Sequence, residues 1–175
     1  MVGLRLKEAR TIIAKELQRS GIDTPELEAD YIITHVCDID MVHLFVDSSR
    51  ILTSDEVNKI SDIVKMRAGG KPLQYIIGEW EFYSMPFLVG EGVLIPRPDT
   101  EVLVDRAIDI LNARGGKPVV ADLCSGSGCI AIAIKKNVPS ARVIAVEYSP
   151  KAVEYLIKNK ARNNVNIEEV VADVC

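Results

Sequence analysis

The sequence predicts an α/β protein in which a small helical bundle precedes a β-hairpin and the first half of a Rossmann-like parallel sheet. Three features lead to this prediction. Apolar residues recur at helical spacing up to residue 68, two short β-rich runs follow near residue 84, and strands alternate with helices from residue 118 to residue 172. Such alternation is typical of parallel strands joined by right-handed crossovers.

Four amphipathic segments predict the helices of the bundle. The first begins near the amino terminus, and the second begins at Pro25, where Thr24 can cap the helix and proline suits its first position. The third covers Met41 to Val46. Thr53 and Glu56 form a capping box that opens the fourth, which stops at a pair of glycines.

The hairpin is predicted from two short strands, Trp80 to Tyr83 and Pro86 to Val89, around a turn at Ser84-Met85. A stretch rich in Gly and Pro follows it and leads into a helix from about Thr100 to Ala113. We interpret the hairpin as a connector between the helical bundle and the sheet.

The remaining segments predict a parallel sheet. Its strands run from Pro118 to Leu123, from Ala141 to Glu147 and from Ile167 to Ala172, with helices from Cys129 to Asn137 and from Pro150 to Asn163. The first strand is apolar without alternation, so we expect both of its faces to be covered.

Composition excludes several classes of protein. The formal net charge is -4, which argues against a nucleic-acid substrate, because proteins that grip many phosphates usually carry a basic excess. The four cysteines, Cys37, Cys124, Cys129 and Cys175, lack the spacing of metal ligands, so no metal site is expected. Few cysteines and no signal-like or membrane-spanning apolar segment indicate a cytoplasmic protein.

A candidate ligand site lies at the carboxyl ends of the predicted strands. A glycine-rich turn follows Asp122 and leads into a helix whose free N–H groups point into the same space. Glu147 ends the second strand, 19 positions after Gly128, where an acid can accept hydrogen bonds from ribose hydroxyls. Asp173 follows the third strand and can bond an adenine amino group. Each feature alone fits a plain strand–helix connection or a solvated strand end; their combination carries the prediction.

Two cofactor classes fit this loop. Gly126 to Ala131 matches the dinucleotide fingerprint G-x-G-x-x-A. However, a pyrophosphate would be repelled by acids, whereas S-adenosylmethionine carries a sulfonium and an ammonium. Asp122, Glu147 and Asp173 together therefore favour S-adenosylmethionine. The predicted cofactor-binding residues are Asp122, Cys124, Ser125, Gly126, Ser127, Gly128, Glu147, Asp173, Val174, Arg97 and Thr100. For Arg97, bonding to local backbone carbonyls is an equal alternative to holding the cofactor carboxylate.

Several motifs together resemble those of a known family. They are the runs Lys71 to Gly78 and Leu94 to Glu101, the loop Asp122 to Gly128, and the strand end Ala145 to Glu147. The chain resembles the HemK/PrmC family of release-factor glutamine methyltransferases over nearly its whole length. The run Leu94 to Glu101 is the most specific of these motifs, whereas very many methyltransferases share the glycine loop.

The resemblance implies a function and a domain organisation. It implies S-adenosylmethionine-dependent methylation of the glutamine side-chain amide in the Gly-Gly-Gln loop of peptide release factors, with nucleic acid involved only indirectly. Residues 1–78 would then be a helical substrate-recognition domain, residues 79–98 a hairpin connector, and residues 99–175 the amino-terminal part of the methyltransferase domain. The alternatives are an adenine-N6 nucleic-acid methyltransferase, a non-catalytic protein-binding module and a dinucleotide-binding domain.

The sequence departs from the family pattern at three points. Cys124 stands where many members have glycine, and Glu147 replaces the more common aspartate. The family's Asn-Pro-Pro-Tyr motif, expected after the third strand, does not occur in residues 1–175 and would lie beyond Cys175. The catalytic residues therefore stay unassigned, and we expect the 175-residue chain to be inactive on its own.

Overall fold

The computed structural model describes residues 3–174, which divide into two compact units. The first unit ends at Ile77 and the second begins at Gly78. The predicted fold class is confirmed, because helices come first, an antiparallel hairpin follows, and a parallel sheet closes the described part of the chain. No helix among the described residues is both long enough and apolar enough to cross a membrane.

Both outer ends of the predicted domains fall on residues that the structure does not describe. The helical domain was expected to begin at Met1, and the methyltransferase segment was expected to reach Cys175. Met1, Val2 and Cys175 lie outside the described residues. The position of the Asn-Pro-Pro-Tyr motif beyond Cys175 therefore stays a prediction.

The first unit is a helical bundle around one apolar core. Its helices are α1 (Leu6–Arg19), α2 (Pro25–Cys37), α3 (Met41–Val46), α4 (Ser54–Ala68) and α5 (Leu73–Ile77). Leu6, Leu17, Ile32 and Ile33 are completely buried in that core. The predicted capping box at the start of α4 is confirmed.

Two expectations about this unit were wrong. The Thr24 side chain makes no capping hydrogen bond at the start of α2, where proline alone fits the first turn. The bundle also has a fifth helix, α5, that was not expected. Its five residues are too few to show a helical period, and it starts where the Pro72 carbonyl accepts the N–H groups of Tyr75 and Ile76.

The second unit contains the hairpin and the sheet. Its elements are β1 (Glu79–Phe82), β2 (Met85–Leu88), α6 (Asp99–Arg114), β3 (Val119–Leu123), α7 (Cys129–Asn137), β4 (Arg142–Glu147), α8 (Pro150–Arg162) and β5 (Glu168–Val171). The strand order β3-β4-β5 is parallel throughout, as predicted. Both α7 and α8 pack against β4, and their buried side chains form the second core with Phe82 and Phe87 of the hairpin.

The hairpin turn lies one residue earlier than expected. Phe82 pairs with Met85, so the two turn residues are Tyr83 and Ser84. Both adopt positive φ angles, 53° and 55°, as the two central residues of a type I′ hairpin turn do. Helix α6 holds this turn, because Glu101 accepts the Tyr83 N–H at 2.7 Å and Asp105 accepts the Tyr83 hydroxyl at 2.6 Å.

The expectation that β3 is covered on both faces was also wrong. Val119 and Leu123 are 61% and 58% exposed, and Asp122 is the one residue of this strand that is buried. The reason is geometric. Strand β3 has β4 on one side only, and the helices of the described residues cover the face that carries Asp122.

Candidate cofactor site

The carboxyl ends of the three parallel strands meet at one edge of the sheet. Leu123 pairs with Val146, and Glu147 pairs with Val171. The Ala172 N–H donates to the Glu147 carbonyl at 3.3 Å, which carries the alignment one residue beyond β5. The three predicted acids, Asp122, Glu147 and Asp173, therefore lie at the same edge, as expected for parallel strands.

The loop between β3 and α7 takes its shape from three left-handed residues. Cys124, Gly126 and Gly128 have φ angles of 59°, 57° and 79°. A Cβ on Gly128 would lie 2.3 Å from the Leu156 side chain, so the buried packing against α8 would have to shift to accept one. A Cβ on Gly126 would meet no atom within 4 Å, which leaves open space where a ligand can approach the backbone.

Glu147 holds this loop through its carboxylate. Its Oε2 accepts the Gly126 N–H at 2.8 Å, and its Oε1 accepts the N–H groups of Tyr148 and Ser149 at 2.9 and 2.8 Å. The side chain is almost buried, so these charge-assisted bonds face little competition from water. Glu147, which we predict to bind the ribose, thus also fixes the conformation of the loop.

Asp122 is a buried carboxylate beside the start of α7. Its Oδ2 accepts the Ala131 N–H at 3.1 Å, which satisfies one of the free donors of that helix. Burial raises the pKa of Asp122 to about 6, the Ala131 hydrogen bond opposes this rise, and the negative charge of Glu147 adds to it. A cation near the loop would relieve this penalty.

Ser125 and Ser127 are the buried polar residues of the loop. The Ser125 N–H donates to the Val146 carbonyl at 3.0 Å, which joins the loop to β4. The Ser125 hydroxyl is buried and has no hydrogen-bond partner among the described residues. A buried hydroxyl without a partner is unusual in a folded protein, which makes Ser125 a candidate ligand contact.

The two cysteines of the loop differ in their surroundings. Cys124 is exposed, whereas burial raises the pKa of the Cys129 thiol to about 11. A thiol with so high a pKa carries almost no thiolate at neutral pH and is a poor nucleophile. The burial of Cys129 therefore disfavours a nucleophilic role for its thiol.

Four of the predicted residues lie outside the loop itself and outside its hydrogen bonds to Asp122 and Glu147. Arg97 and Thr100 lie at the start of α6, and among residues 3–174 neither side chain bonds to the loop. The Arg97 carbonyl accepts the Thr100 N–H at 3.0 Å. Asp173 and Val174 lie at the correct edge of the sheet and are exposed.

Sequence reasoning missed Asn159, a completely buried residue of α8. Its side chain bonds to the loop at Ser127 and to the hairpin at Leu88. The available signal was its position on the buried face of α8, since it follows Ala152 and Leu156 at helical spacing. A buried amide on such a face needs hydrogen-bond partners outside its helix.

Comparisons with known proteins agree with this architecture. Residues 8–78 match the family model described as the PrmC N-terminal domain, and residues 101–174 match the TRM5/TYW2 methyltransferase domain. The release factor glutamine methyltransferase of Thermodesulfovibrio yellowstonii is 43% identical over 151 residues, which are 84% of this chain and 53% of that protein. The release factor glutamine methyltransferase of Koribacter versatilis is 36% identical over 171 residues, which are 98% of this chain and 61% of that protein.

The chain is a relative of the HemK/PrmC release factor glutamine methyltransferases. The resemblance found in the sequence is thereby confirmed, and S-adenosylmethionine is the methyl donor that this relationship implies. The chain spans about half the length of the curated relatives that it matches.

Solved structures resemble this HemK/PrmC relative more distantly. TYW2 of M. jannaschii in complex with AdoMet is 24% identical with a TM-score of 0.47, over 54% of this chain and 42% of that one. The tRNA (uracil-54, C5)-methyltransferase of Pyrococcus abyssi with S-adenosyl-L-homocysteine is 20% identical with a TM-score of 0.45, over 54% of this chain and 23% of that one.

Proposed function

We propose that this chain forms the S-adenosylmethionine site of an enzyme that methylates the glutamine side-chain amide of a peptide release factor. The observation that carries the proposal is the meeting of Asp122, Glu147 and the open loop at Gly126 on one sheet edge. Relatives 30–43% identical that bear the name of this activity support the choice of substrate.

Asp122 and Ser125 suit the amino-acid portion of the cofactor. When bound, S-adenosylmethionine supplies a methyl group on a sulfonium, and it also carries an ammonium. Asp122 uses only Oδ2 in its hydrogen bond to Ala131, so Oδ1 can face these positive charges. The unpaired Ser125 hydroxyl adds a donor or acceptor in the same region. Arg97, on the start of α6, is the proposed partner of the carboxylate.

Glu147 suits the ribose, with room for one hydroxyl. A carboxylate offers about four acceptor positions, and three backbone N–H groups already occupy three of them. We therefore expect Glu147 to accept one ribose hydroxyl while it keeps the loop in place. Accepting a second would require release of the Gly126 N–H. Asp173 and Val174, beyond β5, are the proposed adenine contacts. Thr100 is the last of the proposed cofactor-binding residues.

The same charges disfavour the dinucleotide alternative. A pyrophosphate at this loop would lie near Asp122 and Glu147, which are both buried and already repel each other enough to affect the pKa of Asp122. Like charges brought together in a buried site cost several kcal/mol, on the order of the repulsion between desolvated carboxylates. The loop is therefore better suited to a cation.

Methyl transfer needs groups that activate the acceptor amide. An amide nitrogen is a weak nucleophile, because its lone pair is delocalised into the carbonyl. The resemblance assigns its activation to an Asn-Pro-Pro-Tyr motif, whose side-chain and backbone acceptors would orient the NH2 group. That motif is absent from residues 1–175, so we propose that these residues bind the cofactor but do not transfer the methyl group alone.

The helical unit is the proposed docking surface for the release factor, with residues 79–98 as its connector to the methyltransferase domain. The test uses three polypeptides: the 175-residue chain, a version extended to the length of the relatives, and that version without residues 1–77. Each is incubated with S-adenosylmethionine and a release factor, and the added methyl group is measured by mass spectrometry.

We expect no turnover from the 175-residue chain, full turnover from the extended version, and much slower turnover from the extended version without residues 1–77. Calorimetry should find S-adenosylmethionine binding by all three polypeptides, because the cofactor loop belongs to the second unit. Tighter binding of a nicotinamide dinucleotide than of S-adenosylmethionine would favour the rival site. Equal turnover by the short and extended chains would reject the assignment of the acceptor groups.

A further inference from the structure

Asn159 connects two segments that are far apart in the sequence. Its Oδ1 accepts the Leu88 N–H at 2.6 Å, and its Nδ2 donates to the Leu88 carbonyl at 3.0 Å. The same Nδ2 donates to the Ser127 carbonyl at 3.0 Å. One side chain of α8 thus joins the end of the hairpin strand β2 to the centre of the cofactor loop.

These three bonds are made where no water can replace them. Asn159 is completely buried, so its loss would leave the Leu88 N–H and two carbonyls without partners. An unpaired buried polar group costs about 1–3 kcal/mol, more than the bond itself contributes in water. The loop and the hairpin therefore depend on this amide for their relative position.

Ser127, whose carbonyl accepts the bond from Asn159, lies between Gly126 and Gly128, and these two glycines have different surroundings. Gly126 is tied to Glu147 and faces open space, and Gly128 packs on Leu156. Leu156 and Asn159 are neighbours on the buried face of α8. Between these two anchors, Asn159 fixes the direction of the Ser127 peptide, and with it the backbone that a ligand would meet.

We propose that Asn159 is a positioning residue for the S-adenosylmethionine site. Asn159 holds the loop in its binding conformation and makes that conformation depend on the hairpin. This inference rests on the proposed function of the loop. It adds a residue that touches no ligand itself and acts through the Ser127 peptide.

The test compares Asn159 with Asn163, which lies one turn later and caps the carboxyl end of α8. The Asn163 side chain donates to the Pro86 carbonyl at 2.9 Å and to the Asn159 carbonyl at 3.1 Å, so it ties the end of α8 to the hairpin but makes no bond to the loop. In the 175-residue chain, Asn159→Ala should weaken S-adenosylmethionine binding about tenfold by calorimetry, since it releases the loop. Asn163→Ala should leave the affinity within about twofold of the wild type.

A second variant removes the donor of Asn159 and keeps its acceptor. Asn159→Asp retains an oxygen for the Leu88 N–H but, once ionised, has no donor for the carbonyls of Ser127 and Leu88. It should lose affinity at least as far as Asn159→Ala does. A purely structural role would lower the melting temperature of all three variants and leave the affinity of the folded protein unchanged, which would overturn the proposal.

Amide hydrogen exchange of the wild type tests the same link without relying on a variant that folds. Adding S-adenosylmethionine should slow exchange at the Leu88 N–H more than at the Val89 N–H, which donates to the Gly78 carbonyl within the hairpin segment. Equal slowing at both positions would overturn the inference alone. Absence of cofactor binding by the wild type would overturn the proposed function and the inference with it.

Discussion

Replacing Glu147 with glutamine tests the site most directly. The two side chains have nearly the same shape, but glutamine has one acceptor oxygen where the carboxylate has two. If that oxygen stays with Tyr148 and Ser149, the new NH2 group faces the Gly126 N–H, and two donors then oppose each other. The variant therefore loses the bond that fixes the open part of the loop, together with the negative charge.

The size of the effect follows from the bond that is lost. A hydrogen bond to a charged group contributes roughly 1.5–3 kcal/mol. If the bound state needs the loop held as it is, or if Glu147 accepts a ribose hydroxyl, the affinity for S-adenosylmethionine should fall about ten- to a hundredfold. The free energy of unfolding should also fall, since Glu147 is buried and its partners are backbone groups.

Calorimetry with the 175-residue chain measures this change, and Glu168→Gln is its matched control. Glu168 is an exposed residue that pairs with Arg142 at 2.7 Å, at the beginning of β5 and away from the loop. An exposed ion pair contributes little, so the control should bind like the wild type. Wild-type affinity in a folded Glu147→Gln variant would refute the assignment of Glu147 to the cofactor site.

Two further changes probe the charge and the backbone of the loop. The folded pKa of Asp122, about 6, lies above the ordinary value of 3.8. The wild-type free energy of unfolding, measured by urea denaturation, should therefore fall by roughly 3 kcal/mol as pH rises from about 4 to 6. Asp122→Asn should lack this fall and be more stable at pH 8, yet bind S-adenosylmethionine more weakly; equal pH profiles would contradict the burial argument. Wild-type affinity should rise through pH 6 as the carboxylate ionises. Cys124→Gly should raise the free energy of unfolding by about 0.5–1 kcal/mol, because φ is 59° there, while Cys124→Val should lower it.

The sequence predicted those parts of the fold that depend on local chemistry. Thr53 and Glu56 form the capping box because both partners lie within one helical turn. The turn of the hairpin was misplaced by one residue, since the apolar pattern of its strands fits two neighbouring registers. Side chains of α6, 18 and 22 residues away, select the observed register by binding Tyr83.

The sequence predicted which acids lie at one edge of the sheet but not the hydrogen bonds that they make. Spacing and strand ends indicated Asp122 and Glu147, because parallel strands bring their carboxyl ends to one edge. The bond from Gly126 to Glu147 joins residues 21 positions apart, and the bond from Leu88 to Asn159 joins residues 71 positions apart. Local pattern carries no information about such pairs, and an asparagine in a helix usually indicates a solvated surface.

The two glycines of the loop show why such a motif is weak support for a ligand by itself. Gly128 would be favoured even in a protein that binds nothing, since its φ is 79° and a Cβ there would force the Leu156 side chain to shift. Gly126 has no such neighbour, and its left-handed backbone faces open space beside Glu147 and the unpaired Ser125 hydroxyl. The packing of α8 therefore favours glycine at position 128. At position 126 the left-handed φ favours glycine, and the open space there leaves room for a ligand to approach the backbone.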